Sequence, residues 1–143
     1  MAVSDFDQVV EQQHQALDEF TRGSHEPLAK LWSQRDDVTL GNPFGPFVRG
    51  FEQVVQTMQR AASLYRDGEA VGFDLVAEEV TTDFAYLVEV ERYSAKLGGR
   101  EEVNSVELRV TSIFRNEDGA WRLVHRHADP ITSARPPDSV IQN

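Results

Sequence analysis

Residues 84–96 (FAYLVEVERYSAK), 102–115 (EVNSVELRVTSIFR) and 120–129 (AWRLVHRHAD) decide the fold. In each run apolar and polar side chains alternate, the period of a strand whose successive residues face opposite ways. Residues 70–81 (AVGFDLVAEEVT) form a looser fourth run. Thr82-Asp83, Gly98-Gly99 and Asn116-Glu117-Asp118-Gly119 separate the runs and have hairpin-turn composition. The second half of the chain therefore predicts a meander of four long antiparallel strands.

Upstream of Gly68 the period is helical. Phe6, Val9, Val10, Gln13, Leu17 and Phe20 recur at spacings of three and four, predicting an amphipathic helix over 4–22. Ser4 and Asp7 have the spacing of a capping box, and Gly23 ends the helix. A short helix from Pro27 buries Leu28, Leu31 and Trp32, and Asp36–Gly41 reads as a first strand with Val38 and Leu40 inward. Two prolines and a glycine keep residues 42–47 irregular. A third helix spans about Gly50 to Arg66, with Phe51, Val54, Val55, Met58, Ala62 and Tyr65 as its stripe. No repeat or linker divides residues 1–133, so they form one domain, and the Pro-containing end, 134–143, is a loose tail. Helices followed by strands give an α+β class, three helices packed on the concave face of a curved antiparallel sheet.

Face assignment follows from the alternation. Burying the even residues of the middle strands places Phe84, Tyr86, Val88, Val90, Val106, Leu108, Val110, Ser112 and Phe114 inside. Glu89, Glu91, Glu107 and Arg109 are then outside, in charge ladders with Arg122 and Arg126. On the last strand the inward set becomes Trp121, Leu123, His125, His127 and Asp129. A two-residue turn at Gly98-Gly99 would set the Glu face against the Val face, so an odd-length loop or a bulge is expected there.

The 143 residues hold 24 Asp plus Glu against 14 Lys plus Arg, a formal charge of −10, and no Cys. Disulfides, thiolate metal sites and a Cys nucleophile are excluded. So acidic a chain is repelled by phosphate backbones and anionic lipid, which argues against nucleic acid and membrane partners. No basic, apolar leader opens the chain and no apolar run reaches the ~20 residues that span a bilayer, so a cytoplasmic protein is expected. The sequence has no phosphate-binding glycine loop, nucleotide fingerprint or serine elbow, and no cofactor is expected.

The order of elements resembles the nuclear transport factor 2-like superfamily, a cone-shaped α+β barrel, and within it the SnoaL-like group. The resemblance covers residues 4 to about 131. It is carried by Asp37-Val38-Thr39-Leu40-Gly41-Asn42-Pro43-Phe44-Gly45, by Arg49-Gly50-Phe51, and by residues 121–130. It implies an apolar pocket inside the cone and a homodimer through the convex sheet face. The superfamily includes isomerases, cyclases, dehydratases and purely associative domains, so the fold does not name an activity.

Within that frame the expected pocket residues are Trp32, Phe44, Phe47, Tyr86, Trp121, Leu123, His125 and His127, around a small apolar ligand. His125, His127 and Asp129 share one strand face ~6.5–7 Å apart. They could act as a histidine base oriented by an acid, or hold a metal. The plainer reading is one buried, hydrogen-bonded ring and one ring at the rim. A third protein ligand is not evident, and no metal is expected. Tyr86 is a candidate hydrogen-bond donor, making His127, His125, Asp129 and Tyr86 the candidates for acid–base chemistry. The pattern of a ketosteroid isomerase, an Asp base with a Tyr and a protonated Asp, is not clearly supplied. A non-catalytic association module, working through the Glu/Arg sheet face, is the competing reading. Arg49-Gly50 before the third helix reads as an anion hook or as a loop cap.

Overall fold

In the computed structural model, which describes residues 5–142, helix α1 (Asp5–Phe20) and a single-turn α2 (Glu26–Ala29) precede β1 (Thr39–Gly41) and β2 (Val48–Arg49). Helix α3 (Phe51–Ala62) follows, then β3 (Tyr65–Val80), β4 (Phe84–Leu97), β5 (Asn104–Glu117) and β6 (Ala120–Asp129). The expected capping box involves Ser4, which lies outside the described residues. The third helix stops at Ala62, and Tyr65 opens β3 instead of closing the helix.

The six strands form one sheet in the order β2-β1-β6-β5-β4-β3. β1 runs parallel to β6, so the sheet is mixed, though every other pairing is antiparallel. The sheet bends around α1, whose Phe6, Val9, Ala16 and Leu17 are buried. Phe6 meets Phe114 and Trp121 edge-on, with ring centroids 5.2 and 5.5 Å away. Val54 and Met58 of α3, with Leu28 and Trp32, complete the core of a cone-shaped α+β fold. The β5–β6 turn is Asp118-Gly119, both at positive φ (54° and 90°), the conformation in which a two-residue hairpin matches strand twist. Beyond Asp129 the described chain is exposed and carries one 3-10 turn, Pro137–Val140.

Two strands differ from the expected alternation, and each difference has a local cause. Ala95 pairs with Asn104, so odd residues of β4 share a face with even residues of β5. Glu91 stands opposite Leu108 and Glu89 opposite Val110, on the buried side. Glu89 and Glu91 are 2% and 0% exposed, whereas Tyr86 is 42% exposed on the convex face. The β4–β5 register thus has the parity of the two-residue turn, and no compensating bulge occurs in this pair.

Register shifts occur in the β3–β4 pair, and the bulge that changes the last strand lies in β6. Ile113 pairs with His125 and Phe114 with Leu123, leaving Val124 as the extra residue. Before it, Trp121 and Leu123 face inward as expected. After it the faces exchange: Arg126 and Ala128 are buried, while His125, His127 and Asp129 lie on the convex side opposite Ile113, Thr111 and Arg109. Leu87 and Val124, expected on the convex face, are both buried.

Candidate functional site

The two exchanges bring Glu91 and Arg126 together inside the cone. Arg126 donates through Nη1 to Glu91 Oε2 (2.8 Å) and through Nη2 to Oε1 (2.6 Å), and the Tyr93 hydroxyl donates to Oε1 of the same carboxylate. Burial by itself would lower the Arg126 pKa, but the charge and hydrogen bonds of Glu91 outweigh it and push it up. Burial, followed by the charge of Glu91, raises the Tyr93 hydroxyl well above its ordinary value. The contact is bidentate and buried, the geometry in which a buried salt bridge is sustained.

Glu89, two residues back, is held from α1. His14 Nε2 lies 2.9 and 3.1 Å from its two carboxylate oxygens, and the His14 ring stacks on Phe73 at 3.8 Å between centroids. Burial raises the Glu89 pKa, the His14 hydrogen bond opposes it, and the charge of Glu91 adds to the rise. Gln13, fully buried beside His14 in sequence, donates from Nε2 to Ser112 Oγ at 3.1 Å. The polar groups of the concave face thus lock α1 to the sheet.

A cleft opens next to this cluster. Leu17, Phe20 and Thr21 at the end of α1, Leu28 of α2, Met58 and Ala61 of α3 and Asn42-Pro43-Phe44 form one wall; Leu40, Tyr65, Tyr93, Leu108, Arg126 and Ala128 form the other. It measures about 520 Å³ including the part open to solvent. Tyr65 stands between Phe20 and Phe44, with centroids 5.7 and 6.3 Å away. Burial pushes its hydroxyl up to about 12.

Of the residues expected to line a pocket, Phe44 does so. Trp32, Trp121 and Leu123 are on the inner side but belong to the packed core around Phe6 and the Trp32–Leu123 bridge. Tyr86, Phe47, His125 and His127 are on the convex face. There Phe47 packs over Gly41 and lies 6.0 and 5.6 Å, centroid to centroid, from the two imidazoles. His125 Nδ1 is hydrogen-bonded to Thr39 Oγ1 at 2.7 Å. Burial, then the like charge of His127, lowers the His125 pKa. Asp129 reaches His127 at 3.3 Å and Arg109 Nε at 2.7 Å. Burial raises its pKa, but the hydrogen bonds from Arg109 and the Ile131 N–H prevail and hold it low. Among the described residues, no group of three His, Asp or Glu is placed to hold a metal ion. Arg49 Nε donates to the Asp36 carbonyl, and Gly50 at φ 97° donates to that of Val38, so this pair caps the loop.

Thr21, Asn42, Tyr65, Tyr93 and Arg126 are the polar cleft residues that the sequence reading did not place there. The parity of the Gly98-Gly99 turn was the one signal that could have found Tyr93, since it sets the odd face of β4 inward.

This fold defines a class, and the sequence defines the family. The chain belongs to the SnoaL-like domain family, whose model matches residues 7–132. Solved structures share the cone. A nuclear transport factor 2-like superfamily protein from Salmonella enterica subsp. enterica serovar Typhimurium str. LT2 superposes with a TM-score of 0.75 at 14% identity, over 94% of each chain. A ketosteroid isomerase-like protein from Erwinia carotovora atroseptica SCRI1043 gives 0.72 at 13% identity, over 89% of this chain and 94% of that one. A candidate dehydratase of the same superfamily from Streptomyces avermitilis gives 0.72 at 18%, over 90% and 96%. Such identities establish a shared fold and nothing finer. No curated protein matches the sequence. Among the described residues, no helix is long and apolar enough to cross a membrane.

Proposed function

We propose that the protein binds a small, largely apolar molecule in the cleft between α1, α3 and the concave sheet. The observation that carries this reading is the composition of the cleft wall. Leu17, Phe20, Leu28, Leu40, Met58, Leu108 and Ala128 supply apolar surface around a few fixed polar groups, the usual make-up of a small-molecule site. Proton-transfer chemistry, of the kind that the names of the isomerase-like and dehydratase relatives denote, needs a base at that wall. Arg126 is the one charged side chain among the lining residues, and Glu91 holds it. Binding is therefore the reading favoured over turnover.

The test is a thermal-shift screen of small cyclic ketones, alcohols and hydrocarbons. A binder at 100 times its Kd adds ~2.7 kcal/mol to stability. Ala61→Leu, which fills the cleft from α3, should abolish the shift, and His127→Ala should leave it intact. The opposite pattern would move the site to the convex face.

The same proposal includes a homodimer through that face. Tyr86 and Ile113 are directly paired there beside Val88, and Phe47 is 62% exposed at the β6 side. Apolar side chains gathered on one sheet face suit a self-complementary contact. Light scattering should give twice the 16.1 kDa chain mass, and Ile113→Lys should halve it. A wild-type monomer at micromolar concentration would refute the dimer.

A further inference from the structure

We infer that the ligand is an amphiphile whose apolar body lies in the cone and whose carboxylate end leaves it at the rim, where Arg60 of α3 receives it. The inference rests on the cleft-binding reading and adds the class of ligand and a second subsite outside the cone. A groove on the outer side of the cleft mouth carries it. Asn42, Phe44 and Ala61 line both spaces, so a ligand that outgrows the cleft at this rim runs directly into the groove. The groove measures about 560 Å³ including the part open to solvent. Pro46, Val48 and Leu64 carry the apolar wall outward, and Arg60 is the one charged side chain among the lining residues. Phe44 and Leu64 are 47% and 37% exposed, so apolar surface continues past the mouth of the cone.

The state of the arginines singles out Arg60. Its Nη2 donates to the Thr57 hydroxyl at 3.2 Å, one turn back on α3, and among the described residues no carboxylate stands against it. Every other arginine of the described chain is ion-paired with a carboxylate or, at Arg49, Arg122 and Arg135, donates to a backbone carbonyl. In a chain of formal charge −10, a guanidinium with its charge uncommitted is the exception. Its planar fork of N–H donors matches a carboxylate. The other charged residue of α3, Glu52, lies eight positions away, about 12 Å along the axis. Inside the cone the balance is different. Arg126 has N–H donors beyond the two given to Glu91, but its charge is offset by that carboxylate, so a second carboxylate entering there would lose its hydration for little return. The apolar end is therefore the one that goes in, and the charged end stays at the rim.

Cyclohexylbutanoate, cyclohexylbutanol and cyclohexylbutylamine share a ring and a flexible arm and differ only in the end group. Their affinities are read by titration calorimetry for the wild type, for Arg60→Gln, which keeps a good helix former at an exposed site, and for Arg122→Gln, which removes the same charge elsewhere. The acid should bind the wild type roughly two- to fivefold more tightly than the alcohol, the worth of a solvent-exposed ion pair, and the amine should bind most weakly. Added salt should shrink the margin. Arg60→Gln should erase it while leaving alcohol affinity unchanged, and Arg122→Gln should preserve it. Equal wild-type affinity for acid and alcohol, a margin that survives Arg60→Gln, one that Arg122→Gln also erases, or preference for the amine would overturn the inference. In each of those cases alcohol binding that Ala61→Leu abolishes leaves the cleft reading standing. Failure of the alcohol as well as the acid to bind would overturn both.

Discussion

Replacing Arg126 by Met retains most of the aliphatic volume but removes both N–H groups that hold Glu91. The carboxylate, 0% exposed, is then left with the Tyr93 hydroxyl as its donor. Breaking a buried pair from one side costs about 3–5 kcal/mol, because the remaining charge is neither solvated nor compensated. For 143 residues at about 2.1 cal/mol/K each, the unfolding entropy is about 0.3 kcal/mol/K, so Tm should fall by about 10–17 °C. Calorimetry and urea unfolding both read this. Arg122→Met on the same strand is the control: Arg122 is exposed and donates to the Lys30 carbonyl at 3.3 Å, so its loss should stay within about 0.5 kcal/mol. If alternation ran unbroken through β6, the two arginines would share a face and cost the same. A loss below about 1 kcal/mol for Arg126→Met would refute the buried pair. The double variant Glu91→Leu/Arg126→Met should recover most of the loss, since an apolar pair of similar volume leaves no charge stranded.

Burial holds the Glu89 carboxyl above its ordinary value, so the stability it lends is full below about pH 4.3 and is lost as pH rises through the folded value. Glu89→Gln, neutral at every pH, should therefore gain on the wild type between pH 4 and pH 7 in urea midpoints; a pH-independent difference would contradict this. His125 has the opposite sign: with its folded pKa lowered, its contribution is present above about pH 6.5 and lost as pH falls through the folded value. NMR titration of its ring protons should give a midpoint below about 6.5, and an unshifted curve would count against its packing under Phe47. Gly68→Ala places a Cβ 2.6 Å from Thr21 Cβ and 2.7 Å from Ala95 Cβ, and this overpacking should cost about 1–3 kcal/mol. Gly45→Ala, with open space around it, should stay within about 0.5 kcal/mol. Equal effects of the two would indicate that Thr21 and Ala95 do not press on β3 at Gly68.

The fold was legible because its signals are periodic. The α1 stripe and the runs of β4, β5 and β6 follow from side-chain spacing, and the β5–β6 turn falls within the Asn116–Gly119 stretch that turn chemistry marked, whereas β3 opens at Tyr65, which the helical period had placed in the third helix. The site was not legible, because it depends on register, and register turns on single residues. Val124 carries no mark that distinguishes a bulge from an ordinary strand position, yet it exchanges the faces of Arg126 and His127. On β4 the pattern was misleading for a physical reason. Placing valines inside and glutamates outside is the cheaper choice for an isolated strand, and it becomes wrong only when an arginine and a histidine are inside to receive the carboxylates. Each error concealed the other: an outward Arg126 makes an inward Glu91 prohibitive, and an inward Glu91 requires Arg126 to turn in. The His125-x-His127-x-Asp129 motif drew attention because alternate residues share a face. They do share one, but it is the convex face.

The central claim is that a ligand enters the cone and does not settle on that histidine-bearing face. Intermolecular nuclear Overhauser effects from bound cyclohexanone measure this directly. Contacts are expected to the Met58 methyl, the Leu108 methyls and the Tyr65 ring. Contacts concentrated on the Phe47, His125 and His127 rings would contradict it.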